Sequence, residues 1–130
     1  MTDYLKPEIN AINAPYWQAL EDGYLQYQVC DHGHAWLPPR NACPVCLNRN
    51  PTWKRARGTG RIYSFVIYRV AYHESFKERL PYNVTIVELD EGPRLVTNIL
   101  AAPEELTVGA AVKLQIDRST GTALACFALA

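Results

Sequence analysis

The stretch CDHGHAWLPPRNACPVC, residues 30–46, decides the fold of this chain. Its end, Cys43-Pro44-Val45-Cys46, places two thiols at the spacing found in tetrahedral zinc sites. Cys30 supplies a third thiol, whereas Gly33 stands where the second cysteine of the first pair belongs. The stretch is rich in Gly, Pro and His, which favours turns over long regular elements. It therefore predicts a small ribbon whose turns carry metal ligands.

The fourth ligand of such a site has two candidates. His32 stands one residue short of the usual ligand position. His34 lies further on, and the flexible backbone of Gly33 would allow it to reach the metal. Three thiolates and one imidazole are a sound zinc ligand set, and the metal would hold the loop folded. The predicted ligands are Cys30, His32, Cys43 and Cys46, with His34 as the alternative to His32. A ribbon without metal, stabilised by Trp36, Leu37 and the two prolines, is the competing interpretation.

The bulk composition is that of an ordinary globular protein. The chain has 130 residues, enough for one core and a small appendage, with 48% hydrophobic and 20% charged residues. The formal net charge is +0, which argues against a long-range attraction to nucleic acid or to an anionic membrane. The sequence shows no signal peptide and no apolar stretch of about 20 residues. We expect a cytoplasmic protein, in which clustered cysteines bind metal rather than form disulfides.

The rest of the chain predicts one short helix and a series of strands. Asn13 and Gly23 bracket a helix in which Tyr16, Trp17 and Leu20 share a face. That face either contacts a partner or packs on its own domain. A strand leads into Cys30, and five more strands follow the ribbon at 61–71, 82–90, 94–100, 112–116 and 123–129.

Five such strands are typical of an OB-fold barrel. We therefore predict a mainly β protein with an N-terminal helix, a small zinc-ribbon-like segment and a C-terminal five-stranded OB-fold barrel. The predicted segments are 1–23 for the arm and helix, 24–51 for the ribbon and 52–130 for the OB-fold domain.

A basic run, Lys54-Arg55-Ala56-Arg57, follows the ribbon, with Arg61 close behind it. Such cations bind phosphates, and an indole beside them can stack on an adenine. The predicted residues for such a nucleotide or other phosphate ligand are Trp53, Lys54, Arg55, Arg57 and Arg61. A solvated linker between ribbon and barrel explains the same run without a ligand.

No catalytic residue is predicted. Cys126 lies in an apolar strand with no histidine near it in the sequence, which favours a buried packing role. His73 and Glu74 lie between two strands and could reach a partner's active site as general acid or base. A solvated surface position explains this pair as well.

Further motifs stand in order along the chain: residues 15–20 (PYWQAL), 58–65 (GTGRIYSF) and 87–95 (VELDEGPRL), then Val108-Gly109 before a strand. Together with the ribbon motif they resemble the acyl-CoA-associated OB-fold proteins with a rubredoxin-like zinc ribbon, the family also called domain of unknown function 35. The resemblance covers nearly the whole chain from Ala14. The departure from the family pattern is the missing second cysteine of the ribbon.

The resemblance implies a non-catalytic accessory subunit in a heteromeric acyl-CoA enzyme complex. Catalysis would belong to a thiolase-fold partner, such as a thiolase, an acyltransferase or a retro-aldol lyase. This chain would help bind the CoA thioester and stabilise the partner. The resemblance makes the nucleotide end of CoA the expected ligand of Trp53, Lys54, Arg55, Arg57 and Arg61. A MaoC-type enoyl-CoA hydratase is the alternative partner.

Two other interpretations come from the parts of the chain taken alone. A single-stranded nucleic-acid-binding OB module would need a basic groove, and the zero net charge with one short basic run argues against it. A rubredoxin-like iron protein would need four thiolates, and only three cysteines are suitably placed. We therefore expect neither nucleic acid nor a membrane among the partners.

Overall fold

The computed structural model describes residues 7–69 and 81–130. Within these ranges the chain forms one α-helix, a three-stranded sheet and a five-stranded sheet. The elements are α1 (Ala14–Glu21), β1 (Gln26–Val29), β2 (Ala35–Trp36), β3 (Thr52–Arg55), β4 (Thr59–Tyr68), β5 (Tyr82–Leu89), β6 (Arg94–Thr97), a 3-10 turn (Pro103–Glu105), β7 (Ala111–Asp117) and β8 (Leu124–Leu129). The predicted order of helix, ribbon and five-stranded domain is confirmed.

The three-stranded sheet carries the ribbon and has the order β2-β1-β3. β1 pairs antiparallel with both neighbours, so that Gln28 lies opposite Trp36 on one side and opposite Trp53 on the other. β3 therefore belongs to the ribbon sheet by hydrogen bonding, although the predicted segment 52–130 assigns it to the C-terminal domain.

The five-stranded sheet has the order β6-β5-β4-β7-β8, and every pair in it is antiparallel. Along β5 partly buried side chains alternate with buried ones, as expected for a strand with one face on the core. A register shift between Ile62 and Ser64 bends β4. A parallel bridge between Ile99 and Phe127 connects the end of β6 to β8. The sheet thus curls into a half-barrel.

Gly60 allows β4 and β5 to approach closely. A Cβ atom added at this position would lie 2.4 Å from the carbonyl oxygen of Glu88. No side chain fits at that distance without moving one of the two strands.

One hydrophobic core joins the helix, the ribbon and the half-barrel. Leu20 of α1, Leu25 beside β1 and Phe127 of β8 are fully buried members of the same cluster. Tyr16 and Trp17 pack against this cluster and meet edge to face, with ring centroids 5.2 Å apart. Burial, and to a lesser extent Cys126, raises the pKa of Tyr16 to about 12. The aromatic face of the helix therefore packs on its own domain and is partly buried there.

Some predictions fall on residues that the structure does not describe. The last two residues of the predicted strand 61–71 lie outside the described ranges, as do His73 and Glu74. The roles suggested for that pair stay predictions. In the parts of the chain that are described, every helix is too short or too polar to cross a membrane.

Candidate metal centre and basic cleft

The first turn of the ribbon follows β1 and carries two candidate metal ligands. The N–H of Gly33 donates to the carbonyl of Cys30 at 3.0 Å, and the N–H of Cys30 donates to the carbonyl of His34 at 2.9 Å. Gly33 has a φ of 85°, a left-handed conformation that glycine adopts without strain. The turn thereby brings His34 back beside Cys30.

The second turn carries the other two cysteines. The N–H of Leu47 donates to the carbonyl of Cys43 at 2.9 Å, and the N–H of Cys43 donates to the carbonyl of Asn48 at 2.9 Å. Inside the turn the N–H groups of Val45 and Cys46 point at the Cys43 sulfur, at 3.3 and 3.5 Å. Such N–H donors stabilise a thiolate over a thiol.

Together the two turns bring four ligand atoms within 4.8 Å of one another. They belong to Cys30, His34, Cys43 and Cys46. The Nδ1 atom of His34 lies 3.3 Å from the Cys30 sulfur and 3.6 Å from the Cys43 sulfur. Three sulfur donors and one imidazole nitrogen at this mutual distance fit the tetrahedral ligand set that zinc prefers.

His32 lies outside this group of four. Its Nδ1 atom is 3.6 Å from the Cys46 sulfur, and its ring centroid is 6.4 Å from that of His34. The imidazole of His34 therefore contacts two candidate thiol ligands, those of Cys30 and Cys43, whereas the imidazole of His32 contacts one, that of Cys46. The geometry favours His34, the alternative that the sequence left open.

The surroundings act on two of the thiols in opposite directions. Burial raises the pKa of Cys43, but the N–H groups of Cys46 and Val45, with the thiols of Cys46 and Cys30, lower it to about 6. The N–H of Asn48 lowers the pKa of Cys46, yet burial and the neighbouring cysteines raise it overall. Since zinc binds the thiolate form, Cys43 is better prepared than Cys46 for the metal at neutral pH.

Gln28 supports the ligand turns indirectly, through buried and partly buried hydrogen bonds to Trp36 and Arg40. This side chain is only 2% exposed. Its Oε1 atom accepts hydrogen bonds from the indole N–H of Trp36 at 2.8 Å and from the N–H of Arg40 at 2.6 Å, and its Nε2 donates to the Arg40 carbonyl at 2.9 Å. Trp36 in turn packs with Cys30 and Cys43 in a small buried cluster. No local pattern in the sequence distinguished Gln28 from an ordinary polar strand residue.

The residues predicted to bind a nucleotide separate in the structure. Arg55 and Arg57 line an open cleft of about 470 Å³ between the ribbon and the half-barrel. The other three predicted residues, Trp53, Lys54 and Arg61, do not line it. Lys113 of β7 adds a third cation to the cleft, and nothing near it in the sequence had indicated this.

A helix, a ribbon with four converging metal donors and a curled five-stranded sheet define a zinc-ribbon and OB-fold protein. Residues 17–52 match the family described as "ChsH2, rubredoxin-like zinc ribbon domain", and residues 53–117 match "ChsH2, C-terminal OB-fold domain". The chain belongs to this ChsH2, or DUF35, family. The OB fold and the family resemblance predicted from the sequence are thereby confirmed.

Three known proteins show how far the similarity extends. The "Probable enoyl-CoA hydratase alpha subunit" of Thermomonospora curvata is 36% identical over 84% of this chain, and the chain spans only 34% of that relative. A "DUF35 domain-containing scaffold protein" of Pyrococcus furiosus is 31% identical over 76% of this chain and 74% of its own length. The solved chain described as "Ltp2-ChsH2(DUF35) aldolase" is 33% identical, with a TM-score of 0.83 over 95% of this chain and 98% of that one.

Proposed function

We propose that this chain is a non-catalytic accessory subunit that binds and stabilises an acyl-CoA-processing enzyme of the thiolase fold. The observation that carries the proposal is the similarity to the chain described as "Ltp2-ChsH2(DUF35) aldolase", which covers 95% of this chain and 98% of that one at 33% identity. A match over both whole chains supports a common role better than a match to one module. The description of the Pyrococcus furiosus relative as a scaffold protein supports the same role.

In this role the ribbon holds one zinc ion. The ligands we assign are Cys30, His34, Cys43 and Cys46. Four protein donors leave no open coordination position, which is the arrangement of a structural zinc site and not of a catalytic one. The N–H groups around the Cys43 sulfur and the buried hydrogen bonds of Gln28 are the supporting contacts that such a site requires. Zinc would thus fix the exposed turn that begins at Cys43.

That turn exposes Val45 and Leu47, and Leu47 shares a shallow depression with Ile12; these three residues are called here the knuckle surface. Val45 and Leu47 are 69% and 73% exposed, the highest values among them. Ile12 and Leu47 line one shallow depression between the N-terminal arm and the ribbon. Clustered apolar side chains of this kind mark interaction surfaces, since each gains roughly 25 cal/mol per Å² when a partner covers it. We assign the partner contact to the knuckle surface.

The chain would also help to hold the CoA thioester of the partner. The cationic side chains of Arg55 and Arg57 in the cleft between ribbon and half-barrel support this assignment.

Co-expression with a thiolase-fold acyl-CoA enzyme from the same genome tests the proposal. We expect the two chains to elute together in size-exclusion chromatography with light scattering, at a fixed stoichiometry. We also expect the isolated chain to turn over no acyl-CoA substrate. Separate elution of the two proteins at micromolar concentration would contradict the proposed role.

A MaoC-type enoyl-CoA hydratase is the second candidate partner. The name of the Thermomonospora curvata relative, a probable enoyl-CoA hydratase alpha subunit, favours a hydratase as the partner. The same co-elution experiment with a MaoC-type enzyme in place of the thiolase-fold enzyme distinguishes the two, because only the true partner should form a complex of fixed stoichiometry.

A further inference from the structure

We infer that Cys46 and Cys30 form an oxidation site: hydrogen peroxide joins their two sulfurs in a disulfide, and the zinc ion of the ribbon is then released. This oxidation site rests on the zinc ligands of the proposed function, but it does not depend on the identity of the partner enzyme. Its geometry follows from the burial of the three thiols and from the distance between two of them.

The three thiols of the metal centre differ in their access to solvent. All four cysteines of the chain lie in its described parts, and among them only Cys46 is exposed. Cys30 and Cys43 are 5% and 0% exposed. As a zinc ligand Cys46 is held as the thiolate, the form that attacks a peroxide, although its neighbours raise the pKa of the free thiol. A dissolved oxidant should therefore react first at Cys46, since oxidation follows exposure and thiolate character.

A second sulfur lies close to the exposed one. The Cys46 sulfur is 3.8 Å from the Cys30 sulfur, which belongs to the other ligand turn. A disulfide bond is about 2.05 Å long, so the two sulfurs must approach each other by about 1.8 Å. Rotation of the Cys46 side chain and a shift of its exposed turn can supply this approach. Cys30 is thus placed to react with an oxidised Cys46.

Cys43 is a less suitable partner for Cys46, because its sulfur is held more firmly. The Cys43 sulfur accepts hydrogen bonds from the N–H groups of Val45 and Cys46 at 3.3 and 3.5 Å. The Cys30 sulfur accepts one such bond, from the N–H of His32 at 3.3 Å. A disulfide of Cys43 would break more of the contacts that shape its turn, which favours Cys30.

His32, which the assigned ligand set leaves out, lies beside the exposed thiol. Its Nδ1 atom is 3.6 Å from the Cys46 sulfur. An imidazole ring can hydrogen-bond to a peroxide molecule that approaches this sulfur from solvent. The exposed thiol therefore has a polar neighbour on its own side of the ribbon.

Hydrogen peroxide accepts the two electrons that the disulfide requires. The Cys46 thiolate attacks one peroxide oxygen, the O–O bond breaks, and a sulfenic acid forms at Cys46 while hydroxide leaves. The Cys30 thiolate then attacks the Cys46 sulfur, and a second hydroxide leaves as the S–S bond forms. The two hydroxides take up two protons from solvent and become water. Each sulfur loses one electron, and each peroxide oxygen gains one.

The disulfide would remove two of the four zinc ligands. Zinc binds thiolates, and the remaining pair, His34 and Cys43, is too small a ligand set for a structural site. The turn that carries Val45 and Leu47 would then lose its attachment through the metal. Oxidation would thus disorder the knuckle surface, and with it the proposed contact to the partner enzyme.

Peptide mapping of the full zinc-loaded chain after treatment with hydrogen peroxide tests the inference. Free thiols are blocked with iodoacetamide before digestion. Trypsin cleaves after Arg40 and so separates Cys30 from residues 41–49, which hold Cys43 and Cys46. We expect these two peptides to be joined by a disulfide, with the fragment spectra placing the link at Cys46 and the blocking group on Cys43.

Zinc release is followed in the same sample with a metal-binding dye. We expect about one zinc ion per chain to leave in step with the disulfide and to bind again after reduction with dithiothreitol. In Cys46→His a metal ligand replaces the oxidisable thiol, so release should be at least roughly tenfold slower. The control Cys126→Ala removes a buried thiol outside the metal centre and should change the rate by less than about twofold.

Four results would overturn the inference: a disulfide within residues 41–49, a link from Cys30 to Cys43, release from Cys46→His as fast as from the unchanged chain, or much slower release from Cys126→Ala. If Cys46→His bound no zinc, the position of the disulfide in the unchanged chain would still decide. A chain that joins Cys30 to Cys46 but is purified without zinc would refute the zinc assignment and leave the disulfide site standing. Zinc that resists peroxide would refute the oxidation site alone.

Discussion

The side-chain oxygen of Gln28 accepts a hydrogen bond from the indole N–H of Trp36 at 2.8 Å in the interior of the ribbon. Because Trp36 packs against Cys30 and Cys43, this bond fixes the wall behind two candidate zinc ligands. The same amide also holds the backbone of Arg40, which belongs to the segment between the two ligand turns. One buried polar side chain thus connects β2 with the segment between the two ligand turns.

Replacing Gln28 should therefore destabilise the protein as a whole. In Gln28→Ala the indole N–H of Trp36 loses its partner in a buried site, and both backbone groups of Arg40 lose theirs at a partly buried one. We expect the free energy of unfolding to fall by about 3 kcal/mol. Urea denaturation followed by tryptophan fluorescence measures it. The matched control Gln115→Ala, on the exposed side of β7, should cost less than about 0.5 kcal/mol. Equal effects in the two variants would show that the buried network contributes little.

The two histidines of the first turn should differ in their effect on zinc. His34→Ala removes the imidazole that contacts the sulfurs of Cys30 and Cys43, so we expect less than stoichiometric zinc after purification. In His32→Ala the four assigned ligands remain, and zinc should be retained at about one ion per chain. Metal analysis together with competition by a chelator gives both values. Retention in His34→Ala with loss in His32→Ala would make His32 the fourth ligand.

The knuckle surface can be tested by adding charge to it. Leu47 has a φ of 62°, a left-handed conformation that aspartate accepts more readily than leucine does, so Leu47→Asp should fold normally. A carboxylate buried at an apolar contact has no hydrogen-bond or ion-pair partner there. We expect the affinity for the partner enzyme to fall at least roughly tenfold, so that less of the complex elutes as one species.

Val96→Asp is the control, because Val96 is similarly exposed, at 70%, but lies on β6 of the half-barrel. If Val96→Asp abolished the complex and Leu47→Asp left it intact, the partner contact would lie on the half-barrel instead. Light scattering of each mixture gives the answer.

Gly60→Ala should show how closely β4 and β5 approach. The new methyl group would meet the carbonyl oxygen of Glu88 at 2.4 Å, and we expect a loss of about 2–3 kcal/mol in the free energy of unfolding. Gly92→Ala is the comparison, since its φ of 109° strains an alanine although no atom lies within 4 Å of the added Cβ. That variant should lose only about 1 kcal/mol. A smaller loss in Gly60→Ala than in Gly92→Ala would mean that the strands adjust freely.

Tyr16 should make the protein sensitive to alkaline pH. Burial raises its pKa from 10.0 to about 12, so the folded state holds the phenol proton more tightly than the unfolded state does. The corresponding stability is complete below pH 10 and is lost as the pH rises to about 12, by roughly 2 kcal/mol. Tyr16→Phe lacks this ionisation, so its free energy of unfolding should fall less over the same interval. Parallel pH profiles of the two proteins would contradict the burial of the hydroxyl.

Local patterns in the sequence were sufficient for the helix and the five-stranded sheet, and they indicated three of the four residues that the candidate metal centre brings together. The alternation of Thr85 and Val87 with their neighbours predicted β5, because the two faces of a strand differ within a few residues. The spacing of Cys43 and Cys46 predicted one ligand turn, because two thiols three residues apart can bind one metal ion. The choice between His32 and His34 was different, because it depends on the turn geometry that Gly33 sets.

Contacts between distant residues left no such pattern. Lys113 reaches the basic cleft only because β7 pairs with β4 in a particular register. Gln28 meets Arg40 across the fold of the ribbon, 12 residues along the chain. Likewise the sequence predicted that the residues of β3 begin the C-terminal domain, and only the pairing of β3 with β1 assigns them to the ribbon sheet. Register and strand pairing are set by the packing of the whole chain, which a single sequence does not display.

The continuous core from Leu20 through Leu25 to Phe127 has a consequence for how this architecture can be divided. The two family models meet between residues 52 and 53, but the hydrophobic cluster crosses that point. A fragment cut there would lack the Leu20 and Leu25 side chains that complete the cluster of the half-barrel. The ribbon and the half-barrel therefore share one core, and neither is expected to fold stably without the other.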